Sequence, residues 1–199
     1  MSRTKSYTRD TLTQAAMMQF WHHGFYATSI ADLVAVTGVS KHGLYAEFGD
    51  KRGMFAAAME HYFEAVVTPA FSRVEAEGAG LAEISEYFEA QISLAEQGGL
   101  PGPGCLVANT MVESGPHDGT FEQFVQRHLN RLTTGFDNAL RGEAMRRPPN
   151  AKFNIPAEAR FLTVASQGLW SVSRTTRDGD ELRSFVTRLL TPLEQVFSP

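Results

Sequence analysis

The sequence predicts an all-α protein of about nine helices, with a three-helix unit at the N-terminus and a larger helical body behind it. Apolar residues recur at i, i+3 and i+4 through most of the chain, the spacing of amphipathic helices. Helix-capping side chains open the early segments at Thr8, Ser29, Ser40 and Asp50, and glycines close them at Gly24, Gly38 and Gly49. Between Thr28 and Phe55, two short helical segments are joined by a turn containing Gly38. That is a helix-turn-helix, whose second helix is shaped to enter a DNA major groove.

The first helix runs roughly 9–23, with Leu12, Ala15, Ala16, Met17 and Phe20 facing inward and Phe25 packing under the next element. In the second, Ser29 and Asp32 form a capping-box-like pair, and Ile30, Leu33 and Val34 share a face. Ser40 caps the third, anchored by Leu44, Tyr45 and Phe48. Asp50 caps a long fourth helix, roughly 51–77, in which Pro69 removes a backbone donor and should impose a kink or break. Further helices are expected at roughly 80–97, from Cys105 to about Glu113, at 119–144, 157–176 and 179–197. The loop Gly98–Gly104 follows a helix and lacks the Lys-Ser/Thr of a phosphate-binding loop, which excludes that reading. Gly115-Pro116 stops one helix, and Arg146–Pro156 is the remaining loop-like stretch.

Composition narrows the function. A chain of 199 residues that is 43% hydrophobic and 20% charged suits one or two globular domains. Residues 1–55 carry six Lys/Arg against four Asp/Glu, and the remainder carries twelve against eighteen. A mildly basic head on an acidic body fits a protein that offers phosphate only one end. Residues 1–7 are polar and basic; Arg3 and Lys5 either touch phosphate or the minor groove, or belong to a solvated terminus. No apolar run suits a signal peptide or a membrane span, and one cysteine fits a reducing cytoplasm. The six histidines form no helical metal pair, no HExxH or CxxC occurs, and no nucleophile elbow is present, so no metal, cofactor or catalytic residue is assigned.

Gly24-Phe25, Thr28-Ser29-Ile30, Asp32-Leu33, Gly38-Val39-Ser40-Lys41, Leu44-Tyr45, Phe48 and Lys51 together resemble the N-terminal signature of TetR-family transcriptional regulators. The resemblance implies a DNA-binding domain over 1–55 and a ligand-sensing and dimerisation domain over 56–199. Ser40, Lys41, His42 and Gly43 then open the recognition helix, where base edges are contacted. Thr28, Tyr45 and Lys51 match positions that bind phosphate. His42-Gly43 departs from the family's usual Gly or Pro followed by a small polar residue, which makes His42 the distinctive contact. The last two helices, with Ala165 and Gly168 allowing close approach, are where the family pairs its homodimer.

The resemblance also places a ligand pocket among the helices from 51 to 144. Phe63, Val67, Phe71, Tyr87, Phe88, Met111 and Phe136 would supply an apolar lining, Asn109 and Glu113 polar anchors, and Trp170 a wall. Cys105 has two readings: a thiolate stabilised at a helix N-terminus and open to electrophiles, or a small buried hydrophobe. The expectation is a cytoplasmic repressor on a near-palindromic double-stranded operator, released by a small-molecule effector or by modification of Cys105. The alternatives are a constitutive DNA-binding protein without effector, or a helical small-molecule-binding protein.

Overall fold

A computed structural model describes residues 7–114, 119–149 and 152–198; Arg3, Lys5 and the Gly115-Pro116 stop lie outside them. Among the described residues the chain is helical throughout its regular structure. Helix α1 (Arg9–His23) starts at Thr8, whose hydroxyl accepts from the Thr11 amide while Thr11 bonds back, and ends at Gly24 with φ 83°. Helix α2 (Ile30–Thr37) is opened by the reciprocal Ser29–Asp32 pair and closed by left-handed Gly38. Helix α3 (Lys41–Phe48) begins at Ser40, which accepts from the Gly43 amide at 3.3 Å. Each cap occupies its expected residue because its chemistry is local: one side chain meets an amide three positions on.

Helix α4 begins at Lys51–Tyr62, widens into a π-helical turn at Phe63–Val67, and resumes as Thr68–Phe71. The Thr68 amide reaches back five residues to the Phe63 carbonyl. The expected helix to residue 77 therefore ends early, and Ser72 to Gly78 form turns. Pro69 explains the disturbance: its ring would clash with the Ala65 carbonyl in an α-helical ladder, and the wider turn gives it room.

The body continues with α5 (Leu81–Gly98), α6 (Leu106–Ser114), α7 (Gly119–Arg146), α8 (Ile155–Val172) and α9 (Gly179–Val196). Helix α8 stops four residues before its expected end, where Ser173 and Thr176 turn their hydroxyls onto the Trp170 and Val172 carbonyls. Helices α7 and α8 pack along each other, α9 covers α5, and α1 lies on α4. Close approach of α7 to the preceding turns rests on Gly142, where a Cβ would overlap the Ala79 carbonyl oxygen. One residue further, the Glu143 carboxylate is buried and accepts from the Leu81 amide, Arg146 and Arg147, fastening the start of α5. No helix among the described residues is long and apolar enough to cross a membrane.

Candidate nucleic-acid interface and the cavity behind it

At the tip of the head, Lys41 and His42 are exposed on the first turn of α3. The Lys41 ammonium lies 5.4 Å from the centroid of the half-buried Tyr45 ring, so the two form one cationic and aromatic patch. Gly43 has a packing cause: a Cβ there would overlap a Val39 methyl and stand 3.5 Å from the Tyr7 hydroxyl. Thr28 is not placed as expected. Its side chain is fully buried and its hydroxyl donates to the Gly24 carbonyl at 2.7 Å, making it a strut of the loop rather than a surface for phosphate. The adjacent α2 terminus carries its own anion, since Asp32 accepts from both the amide and the hydroxyl of Ser29. Those bonds hold the Asp32 carboxyl below the usual range. Lys51 is half-buried with its ammonium 4.3 Å from the Phe25 ring centroid, and that burial lowers its pKa against the pull of Glu113 and Asp32.

Behind the tip, the head is tied to one segment of the body. The Glu113 carboxylate accepts from the Phe25 amide at 2.8 Å and the Tyr26 amide at 2.6 Å, lying flat against Gly24 where a Cβ would collide with it. At the other end of that segment, the Trp21 indole N–H donates to the Gly104 carbonyl at 2.9 Å. Phe121 completes the joint, edge-on to Phe25 and Phe55 at 4.8 Å each.

Between α1, α4, α5, α8 and the loop before α6 lies a cavity of about 960 Å³. Of the expected pocket residues, Val67, Phe71, Tyr87, Cys105 and Trp170 line it. The rest stand elsewhere. Phe88 and Phe136 are fully buried and stacked 6.3 Å apart in the core, and Phe63 packs between Phe124 and the Arg127 guanidinium. The Asn109 amide donates to the Pro103 carbonyl and holds the loop; Met111 is exposed; Glu113 serves the head. Trp21, Tyr62 and His128 line the cavity unforeseen. Spacing could have offered Trp21, which follows Met18 by three residues on α1 and shares its cavity-facing side. His128 gave no local sign.

Cys105 is buried on the cavity wall. Of its two readings, burial favours the small hydrophobe: it pushes the thiol up, although the Ala108 and Val107 amides and the Tyr62 hydroxyl pull it down. Burial likewise takes Tyr87 up to about 12, so both hydroxyl and thiol are neutral hydrogen-bonding groups facing an apolar space.

Residues 12–58 match the bacterial regulatory proteins of the tetR family, and residues 80–189 match the tetracyclin repressor-like C-terminal domain. The chain belongs to the TetR family. It is a helix-turn-helix DNA-binding transcriptional regulator, in a family that is not enzymatic. The repressor ComR of Escherichia coli K12 is 30% identical over 190 residues, 92% of this chain and 86% of that one. The regulator YezE of Bacillus subtilis 168 is 26% identical over 195 residues, 98% of this chain and all of the other. Among solved structures, a cysteine mutant of the TetR-family regulator CifR complexed with 26-bp operator DNA superposes with a TM-score of 0.82 at 21% identity, covering 96% of this chain and 98% of that one. The reduced form of E. coli NemR gives 0.79 at 16% identity, covering 92% and 95%. At these identities the two structures share the fold.

Proposed function

We propose that this TetR-family regulator is a cytoplasmic homodimeric repressor, released from a near-palindromic operator when a largely apolar small molecule enters the cavity. One observation carries the reading. The segment from Gly104 to Glu113 forms cavity wall at Gly104 and Cys105 and grips the head through Glu113. Anything that displaces that segment alters the seat of α1 and α2, and thereby the spacing of two recognition helices, about 34–36 Å or more apart on DNA. Release needs the occupant to favour the displaced arrangement, since equal affinity for both shifts nothing. A volume of about 960 Å³ suits a drug-sized molecule and favours an effector over a constitutive binder. Exposed Phe161, Val164, Val172 and Phe185 on α8 and α9 supply the apolar face for pairing.

Ser40, Lys41, His42, Gly43 and Tyr45 are assigned to the operator, with Lys41 and His42 reaching base edges and Tyr45 the backbone. A second reading, covalent modification of Cys105, has one observation in favour: its thiol borders the cavity.

Fluorescence anisotropy on DNA from upstream of the gene and its neighbours tests both, with a neutral naphthalene-sized compound and with a quinone. Selective, salt-sensitive binding that either compound weakens in wild type and in Cys105→Ala is the expected result. A quinone effect lost in Cys105→Ala would move the mechanism to the thiol. Absence of selective binding to every fragment would overturn the proposal.

A further inference from the structure

Buried polar groups of the body mostly find partners within the chain, as the Thr110 and Thr163 hydroxyls do on the Leu106 and Ala159 carbonyls. Among the described residues two atoms do not: His128 Nδ1 and Gln167 Oε1 are buried without a hydrogen-bond partner, while the buried Ser166 hydroxyl lies by that of Tyr87. His128 is 4% exposed and forms part of the cavity wall from α7. Gln167 and Ser166 stand on α8, three and four residues before the wall residue Trp170, on the same side of that helix.

The two larger side chains meet, with Gln167 Nε2 3.4 Å from His128 Nε2. An amide nitrogen only donates, so the imidazole Nε2 accepts and the ring proton sits on Nδ1. Two atoms of the pair are left without a partner: a donor, His128 Nδ1–H, and an acceptor, Gln167 Oε1. Turning the amide over exchanges these roles but not their number: Nδ1 then accepts and the Gln167 nitrogen donates. Either way, a donor atom and an acceptor atom are left over on a joined pair of side chains, of which His128 lines the cavity, and they carry a desolvation penalty that no group among the described residues relieves.

The surroundings set the charge of what would relieve it. Burial, and then the Arg131 charge, take His128 down to about 4, so it is neutral at physiological pH. Arg131 itself is committed to Glu75 at 2.6 and 2.7 Å and to the Thr68 hydroxyl. On the wall, Arg73 is paired with Glu86 at 2.7 Å, both largely exposed, and Glu89 is held by Arg183. A carboxylate brought to His128 would meet a neutral imidazole and a neutral amide.

We infer that His128 and Gln167 form the polar end of the effector site and select a neutral, mainly apolar molecule that bears an acceptor beside a donor, as in a primary carboxamide or a hydroxy-ketone. This rests on reading the cavity as the effector site.

Calorimetric titration of the full chain with 2-naphthamide, 2-methylnaphthalene and 2-naphthoate tests it. The amide is expected to bind about tenfold more tightly than either of the others. In H128F/Q167M the advantage over 2-methylnaphthalene should fall within about twofold, while 2-methylnaphthalene itself binds as in wild type. The double variant removes the unpaired groups together, so its melting temperature should equal or exceed that of wild type; if it does not fold, the three wild-type titrations still decide. Equal binding of amide and methyl compound in wild type, or an amide preference that survives the substitutions, overturns the inference and leaves the cavity reading intact. No binding by any of the three overturns both.

Discussion

Head and body are built on different length scales. Helices α2 and α3 are eight residues each, and each is opened by a side chain three positions from the amide it caps and closed by a glycine. Helices α5 and α7 run 18 and 28 residues, and the space between elements of the body is decided by residues far apart in sequence. The head leaves Lys41, His42 and part of Tyr45 outside. The body leaves a space unfilled. A surface can be written locally; a void depends on every element around it.

Substitutions can break or sharpen this contrast. The largest effect belongs to the body. Gly142→Leu drives a side chain into the Ala79 carbonyl, which as backbone cannot swing aside, and should cost about 3 kcal/mol. Thermal unfolding should show this as a fall of roughly 10 °C, with operator binding normal below the transition.

Next comes Glu143. Burial works to raise its carboxyl, but the Leu81 amide and the guanidinium groups of Arg146 and Arg147 outweigh burial and hold it below the usual range. Glu143→Gln should cost about 2 kcal/mol at neutral pH in urea unfolding. A carboxyl depressed on folding stabilises above its unfolded value, about 4.3, and loses that contribution as pH falls through the lower folded value. The gap between variant and wild type should therefore close on acidification; a gap constant with pH would assign the loss to packing.

The smallest effect on stability belongs to the head. Lys41→Ala should weaken operator binding about tenfold, roughly 1.4 kcal/mol, and leave the melting temperature within error. A comparable loss of stability would mean that the tip is part of the packed structure and would blur the contrast.

Legibility followed the same division. The caps at Thr8, Ser29, Ser40 and Asp50 and the stops at Gly24, Gly38 and Gly49 are visible in sequence because each acts within one turn. Thr28 shows the limit: its position in the motif is clear, but its rotation inward onto Gly24 depends on how the loop packs. In the body, Val67 and Phe88 look alike as apolar residues on helical faces, yet one lines the cavity and the other is sealed in the core. The family resemblance offers Glu113 as a ligand anchor, whereas its partners, the Phe25 and Tyr26 amides, lie almost ninety positions away. His128 and Gln167 are 39 apart, and no periodicity links them.

The π turn in α4 has a consequence in angle. One such turn is equivalent to a residue inserted into an α-helix, so the residues beyond it are rotated by about 100° from the face they would otherwise occupy. Helix α4 starts in the head at Lys51 and ends at the cavity with Phe71. It is thus a shaft with an offset key: its length sets how far the cavity lies from the tip, and the single wide turn sets the phase at which Ala70 and Phe71 face the cavity.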